Sequence, residues 1–256
     1  MNNFQEFQQQ YSANTKAYEY ATPQMQAEAG TQAVGQAFAS LMKKTYLWMA
    51  LALVITGMTA YGVAHNYSIM ETIISNRAIF WILAIAELGL VIGLSAAINK
   101  LSLMTASIMF IVYSMLNGVT MSFIFLAYTA TSIATTFFVT AGAFAGLALI
   151  GFFIKKDLSA LGKFFLFALI GIIIASIVNI FVGSSGLDLV ISIGGVVVFA
   201  GLTAYDTQKI KEMFLATGTE VNEQTQKLAV LGALTLYLDF INLFLYLLRF
   251  LGKARD

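Results

Sequence analysis

Long apolar runs free of charge alternate with short polar breaks along this chain, and that rhythm sets the expected architecture. A helix needs about 20 mostly apolar residues to cross a hydrocarbon core about 30 Å thick. Such runs follow one another from Tyr46 to Ala64, and from Ala78 to Ile98 with Glu87 as the one interruption. The stretch from Leu101 to Ile154 holds no charged residue and is too long for one helix. Its polar string Thr129-Ala130-Thr131-Ser132 therefore marks a hairpin, between a third span ending near Tyr128 and a fourth ending at Ile154, ahead of Lys155-Lys156-Asp157. A fifth run, Phe164 to Val182, stops at Gly183-Ser184-Ser185-Gly186, which is turn chemistry. The sixth goes from Leu187 to about Ile210 and the seventh from Leu228 to Leu248, carrying Asp206 and Asp239 respectively. The runs are continuous rather than alternating and exceed the roughly ten residues of a barrel strand. The pattern predicts an all-α polytopic membrane protein with seven spans. Pro23, the only proline, lies outside every span, so kinks are left to glycine or to polar side chains.

Composition removes the alternatives to a membrane protein. Of 256 residues 59% are apolar and 11% charged, where a soluble domain has about 25% charged. The formal net charge of +1 excludes a nucleic-acid binder that works by neutralising phosphates. Without cysteine there is no disulfide framework, thiolate zinc site or cysteine nucleophile, and the single His65 excludes a histidine-rich metal site. Residues 1–44 are glutamine-rich, with no apolar run and no secretory signal. They are expected to form a mostly disordered cytoplasmic tail, with room for a short amphipathic helix before the first span, followed by a transmembrane domain over 45–251 and a short tail over 252–256. No internal repeat is evident in the sequence.

Orientation follows from the basic residues, because cytoplasmic loops are enriched in lysine and arginine. Lys16, Lys43, Lys44, Lys100, Lys155, Lys156, Lys163, Lys209, Lys211 and Lys227 fall on the side of the N-terminus. Arg77 falls opposite, and the N-terminus is therefore expected inside. Arg249, Lys253 and Arg255 conflict with the rule if the seventh segment crosses, so the sequence leaves the side of the C-terminus open.

Three acidic residues stand well inside the spans: Glu87, Asp206 and Asp239. An ionisable group at membrane depth costs several kcal/mol by most scales (~3 or more) and commonly marks a functional position. Glu87 alone reads equally well as an interhelical hydrogen-bonder. The two aspartates stand about 6 Å (Asp206) and about 16 Å (Asp239) from the inner ends of their spans, close enough in depth to meet once the helices tilt. On the seventh span Gly232, Thr235, Asp239, Asn242, Tyr246 and Arg249 recur at alternating spacings of three and four, which puts them on one stripe. That stripe predicts a central seventh helix lining a polar cavity. Two carboxylates held close in a low-dielectric site cannot easily both ionise, so the pair tends to share a proton and titrates as a unit. Fully deprotonated, it is a hard oxygen site of the kind calcium takes, so protons and calcium ions compete for it.

These residues also carry a resemblance. Gly201-Leu-Thr-Ala-Tyr-Asp-Thr-Gln-Lys-Ile-Lys211, Leu236-Tyr-Leu-Asp-Phe-Ile-Asn-Leu-Phe244 with Arg249 following, and Leu116-Asn-Gly-Val-Thr-Met-Ser122 resemble the Bax inhibitor-1 family, the bacterial branch most of all, over about Leu41 to Arg249. The resemblance implies a seven-helix bundle in which the seventh helix is central and the other six wrap it as three hairpin-like pairs. It implies a pH-sensitive calcium leak channel of the bacterial inner membrane, with Asp206 and Asp239 as the di-aspartyl pH sensor. It further implies a second helix that moves as a gate, carries an acidic residue matched by Glu87, and has near its inner end an arginine that pairs with the aspartates. That arginine is absent. Ile98, Asn99 and Lys100 stand there, so a latch would have to use the point charge of Lys100 in place of a bidentate fork.

Other classes compete. Intramembrane aspartyl proteases also place Tyr-Asp on one helix and a second Asp on the next, as Tyr205-Asp206 and Asp239 do. Their second motif is Gly-x-Gly-Asp, where this chain has Leu236-Tyr237-Leu238-Asp239, and they need a later proline that is missing. A regulatory membrane protein is the stronger alternative. It would modulate a membrane-anchored AAA protease or a stress or cell-death partner, with residues 1–41 as the handle. The reading carried forward is a non-enzymatic channel without cofactors, its partners being the lipid bilayer and calcium ions. Asp206 and Asp239 form its site, Thr235 and Asn242 add neutral oxygens, and Glu87 and Lys100 couple the gate.

Overall fold

The polar breaks between the apolar runs work as helix caps, and they divide the chain where the hydropathy pattern does. The computed structural model describes residues 23–217 and 221–255. They form α1 (Pro23–Ala64), α2 (Tyr67–Ser75), α3 (Arg77–Ala97), α4 (Leu103–Met121), α5 (Ile124–Ala127), α6 (Ala130–Phe153), α7 (Ser159–Val182), α8 (Ser185–Ala216) and α9 (Glu223–Leu251). Asn66, Asn76, Ser102, Thr129, Ser184 and Asn222 each accept a backbone N–H of the turn they start, satisfying amides that a helix N-terminus leaves orphaned. At Asn222 the bond is reciprocated by Thr225 in a capping box. α7 ends on Gly183, whose φ of 64° is the left-handed conformation glycine adopts freely, and the Gly183 amide closes on the Asn179 carbonyl.

Among the described residues seven helices are long and apolar enough to cross a membrane: residues 30–64 of α1, then α3, α4 with α5, α6, α7, α8 and α9. The seventh, α9, is central: 67% of its most apolar window is buried, against 6% for α3 and for α7. Its aromatic side chains key into three neighbours. Tyr237 meets Phe110 and Tyr113 of α4, Phe240 meets Phe144 of α6, and Tyr246 stacks on Phe199 of α8.

The wrapping differs from the three hairpin pairs implied by the resemblance. α4 packs against both α1 and α3, and α8 against both α6 and α7. The bundle is therefore two triplets, α1-α3-α4 and α6-α7-α8, each with its third helix in the middle. α1, α4, α6 and α8 pack on α9, while α3 and α7 lie outermost. A helix so thinly buried must be covered by lipid, and α3 and α7 accordingly have the highest mean hydropathies of the spans, 2.2 and 2.8.

One boundary also differs from the sequence reading, and the side of the C-terminus, which the sequence left open, is visible in the fold. Part of the expected disordered tail, residues 23–44, is a helical extension of the first span, and residues 1–22 lie outside the described residues. The amphipathic stretch before the first span is longer than expected and continuous with it: Ala37, Leu41 and Met42 form a buried apolar face at helical spacing, and Thr45 is buried below them. At the other end α9 crosses completely. Beyond it the chain is tied to the α5–α6 hairpin, on the side opposite the N-terminus. Thr129 N–H donates to the Lys253 carbonyl, Arg255 N–H to the Ala127 carbonyl, and Tyr128 pairs with Ala254. The basic residues that conflicted with the orientation rule are engaged there: Arg249 forms an ion pair with Asp188, and the Arg255 guanidinium donates to the Phe125 carbonyl at 3.0 Å.

Candidate functional site

The polar stripe of the seventh helix is an interface with α8. The two helices run antiparallel, and their contacts descend in register: Asp188 with Arg249, Gly195 and Phe199 with Tyr246, Asp206 with Asp239, Ile210 with Gly232. Most of the stripe is thus taken up by packing, and the expected cavity survives at one place. There Ser95 of α3, Asp206, Lys209, Ile210 and Met213 of α8, and Leu231, Gly232 and Thr235 of α9 enclose a cavity of 220 Å³. Ser95 stands near the inner end of the second span, so the cavity belongs to the N-terminal side of the membrane.

Asp206 borders this cavity and Asp239 lies behind it, 4% exposed. Their carboxyl groups face one another closely enough to share a proton. Asp239 Oδ2 is buried and has no hydrogen-bond partner. A carboxylate oxygen buried without a donor is costly unless a proton or cation satisfies it. Thr235 borders the same cavity, its hydroxyl donating to the Leu231 carbonyl at 3.2 Å. Asn242 is not among the cavity-lining residues, and its amide donates to the Leu238 carbonyl at 2.8 Å. Among the described residues no third acidic or histidine side chain joins the pair.

Glu87 takes part in a different network. The Thr120 hydroxyl donates to one Glu87 oxygen and Asn117 Nδ2 to the other. Asn117 Oδ1 accepts from the Tyr237 hydroxyl at 2.9 Å, and Tyr237 meets the Thr56 hydroxyl at 2.6 Å. This chain of polar groups ties α3, α4, α9 and α1 together, and Glu87 lies roughly 12 Å along α3 from Ser95. Thr56, Thr120 and Tyr237 were missed by the sequence reading. The available signal was the pair Asn117 and Thr120, one turn apart on a span without charges.

The Lys100 latch is not formed. α3 ends at Ala97, so Lys100 sits in the following loop with its side chain exposed, bonded to neither aspartate. The cation that borders the cavity beside Asp206 is Lys209. Another lysine holds the second span's inner end. Lys227, 6% exposed, donates through Nζ to the Leu101 carbonyl at 2.9 Å. Beside it Leu103 N–H donates to Glu223 Oε1, and Gln224 Nε2 donates to Asn99 Oδ1. The first turns of α9 thus clamp the α3–α4 loop. Lys227→Met is expected to speed amide exchange at Leu103 about tenfold or more, the loss of one charge-assisted bond, whereas Lys100→Ala leaves it unchanged. Equal exchange in both variants would show that the clamp does not hold the loop.

Comparison with known proteins gives a consistent result. The family described as inhibitor of apoptosis-promoting Bax1 matches residues 38–256. The chain is 48% identical over 214 residues to the inner membrane protein YbhL of Escherichia coli K12, covering 84% of this chain and 92% of that one. It is 46% identical over 217 residues to a protein of Borreliella burgdorferi, covering 84% and 92%. A Rickettsia prowazekii protein is 45% identical over 218 residues, covering 84% and 90%.

Proposed function

The chain belongs to the family of inhibitors of apoptosis-promoting Bax1, and from that premise we propose that it is a calcium leak channel of the bacterial inner membrane, set by protonation of Asp206 and Asp239. The observation that carries this reading is Asp239 Oδ2, buried beside a second carboxyl with no donor of its own. With a proton between them, the two groups satisfy one another and the helices pack closely. With both ionised, the pair needs a cation, and the inner cavity at Asp206 and Thr235 is the route by which one reaches it. Calcium takes six to eight oxygens, so two carboxylates with a hydroxyl and water suit an ion that passes rather than one that stays.

A hydrolytic use of the pair is disfavoured by its surroundings. Leu236 and Tyr237, on the turn before Asp239, are fully buried in the bundle, which leaves no space for an extended peptide beside that carboxyl. The test is calcium flux into proteoliposomes of the purified chain across a pH series. Flux above that of protein-free vesicles, changing with pH, is the expected result. A flux equal to that of empty vesicles at every pH overturns the reading.

A further inference from the structure

We infer that the crevice between the first and fourth spans is a binding site for an anionic phospholipid of the inner leaflet. α1 and α6 both pack on α9 yet separate from one another, leaving a crevice of 610 Å³ with Phe240 of α9 among its walls. The space exists because Ala50, Ala141, Ala145 and Ala148 line it where larger side chains would fill it. Its volume is that of a ligand site. Its walls are apolar and it faces the bilayer, where no water is present to fill it. Hydrocarbon is the occupant that fits. Along α6 the lining runs from Ala141 to Phe153, about 18 Å. That is about half of a bilayer core of about 30 Å, the reach of one acyl chain of a single leaflet.

The charged groups select the leaflet and the headgroup. At the inner end Phe38 and Phe152 meet at 5.9 Å and draw α1 and α6 together. Lys211 Nζ donates to the Phe152 carbonyl at 2.7 Å and lies 5.4 Å from the Phe152 ring centre, so it marks the mouth. Lys155 and Lys156 follow α6 directly, and Lys43 is one turn before Tyr46, which lines the crevice. These three are exposed and make no ion pair among the described residues. The acidic neighbours are Glu212 and Asp157, and Asp157 Oδ1 already accepts the Ser159 amide at 2.8 Å. Lysines gathered at the cytoplasmic mouth of a gap between spans favour an anionic headgroup over a zwitterionic one. The phosphate sits among Lys43, Lys155 and Lys156, and the chain rises along the alanine-lined wall.

Native mass spectrometry of the full chain in detergent, with phosphatidylglycerol or phosphatidylcholine of identical acyl chains, tests the site. Wild type is expected to retain phosphatidylglycerol in preference. The Lys43→Ala/Lys155→Ala/Lys156→Ala variant should bind it roughly 100-fold more weakly. Ala145→Phe and, independently, Ala50→Met fill the crevice from its open side and should each displace the lipid while the protein stays monodisperse. Glycerophosphoglycerol, the headgroup without chains, should not compete. Equal retention of both lipids overturns the proposal. So does undiminished phosphatidylglycerol binding in both crevice-filling variants, because the lysines would then act as a surface patch without the crevice. Competition by the free headgroup likewise overturns it in favour of a phosphate site.

Discussion

Proteoliposomes carrying Asp206→Asn/Asp239→Asn are expected to pass calcium at one rate across the pH series, equal to the rate wild type approaches at its acid end. Asparagine has nearly the shape of a protonated aspartate and cannot ionise. The double variant is therefore fixed in the form that wild type takes when both carboxyls carry a proton, whichever form conducts better. Each single variant leaves one titratable group, with an amide positioned to donate to it. Asp239→Asn gives Asp206 a permanent donor, and Asp206→Asn supplies the buried Asp239 Oδ2 with the partner it lacks. Both should mimic the singly protonated pair over most of the range, and only the double variant should be flat. Glu87→Gln is the contrasting control, since Glu87 bonds to Thr120 and Asn117 and not to either aspartate. Its flux should keep a pH dependence. A double variant that follows the wild-type profile would remove the pair from gating.

The pairing itself was legible in the sequence, because an ionisable residue inside an apolar span has few places to go other than another polar group. The central place of α9 was legible as well, from its polar stripe, but the wrapping of the other six helices was not. Hydropathy measures how well a helix suits an apolar environment, and lipid and protein interior serve equally well. α7 has the higher mean hydropathy, 2.8 with 6% of its window buried, and α9 the lower, 2.0 with 67% buried. The sign that did mark the central helix was the polar stripe of α9, whose Thr235, Asp239 and Asn242 are shielded from lipid by neighbours. Lys100 was misplaced for a related reason. The resemblance put a cation near the inner end of the second helix, and a position in sequence transfers to space only while the helix continues, which it does to Ala97. In the sequence Lys227 reads only as a cytoplasmic charge, because a lysine near a helix start ordinarily is solvated. Its burial depends on the α3–α4 loop folding over it, a contact between distant parts of the chain.

Gly151→Ala should destabilise the protein severely for the addition of a single methyl group. α6 and α8 cross at this glycine, and a Cβ there would overlap the Ala204 carbonyl oxygen, with the Ala204 Cα also too close. Those are backbone atoms, which no rotamer change can move aside, so the helices must separate. Overpacking of this kind costs about 1–3 kcal/mol, and more where the obstacle is rigid. Small residues that let backbones approach are what hold membrane helices together, since lipid offers no hydrophobic drive for their association. Gly146→Ala, earlier on the same helix, is the internal control. A Cβ at that position meets nothing within 4 Å, so replacing glycine should raise helix stability by up to about 1 kcal/mol. Thermal unfolding in detergent should therefore move in opposite directions for the two substitutions. Parallel shifts would mean that α6 and α8 do not touch at Gly151. Ala204 is also two residues from Asp206, so displacing α8 moves one carboxyl relative to the other. Whatever Gly151→Ala protein survives purification should show a displaced pH profile of calcium flux, which Gly146→Ala should not.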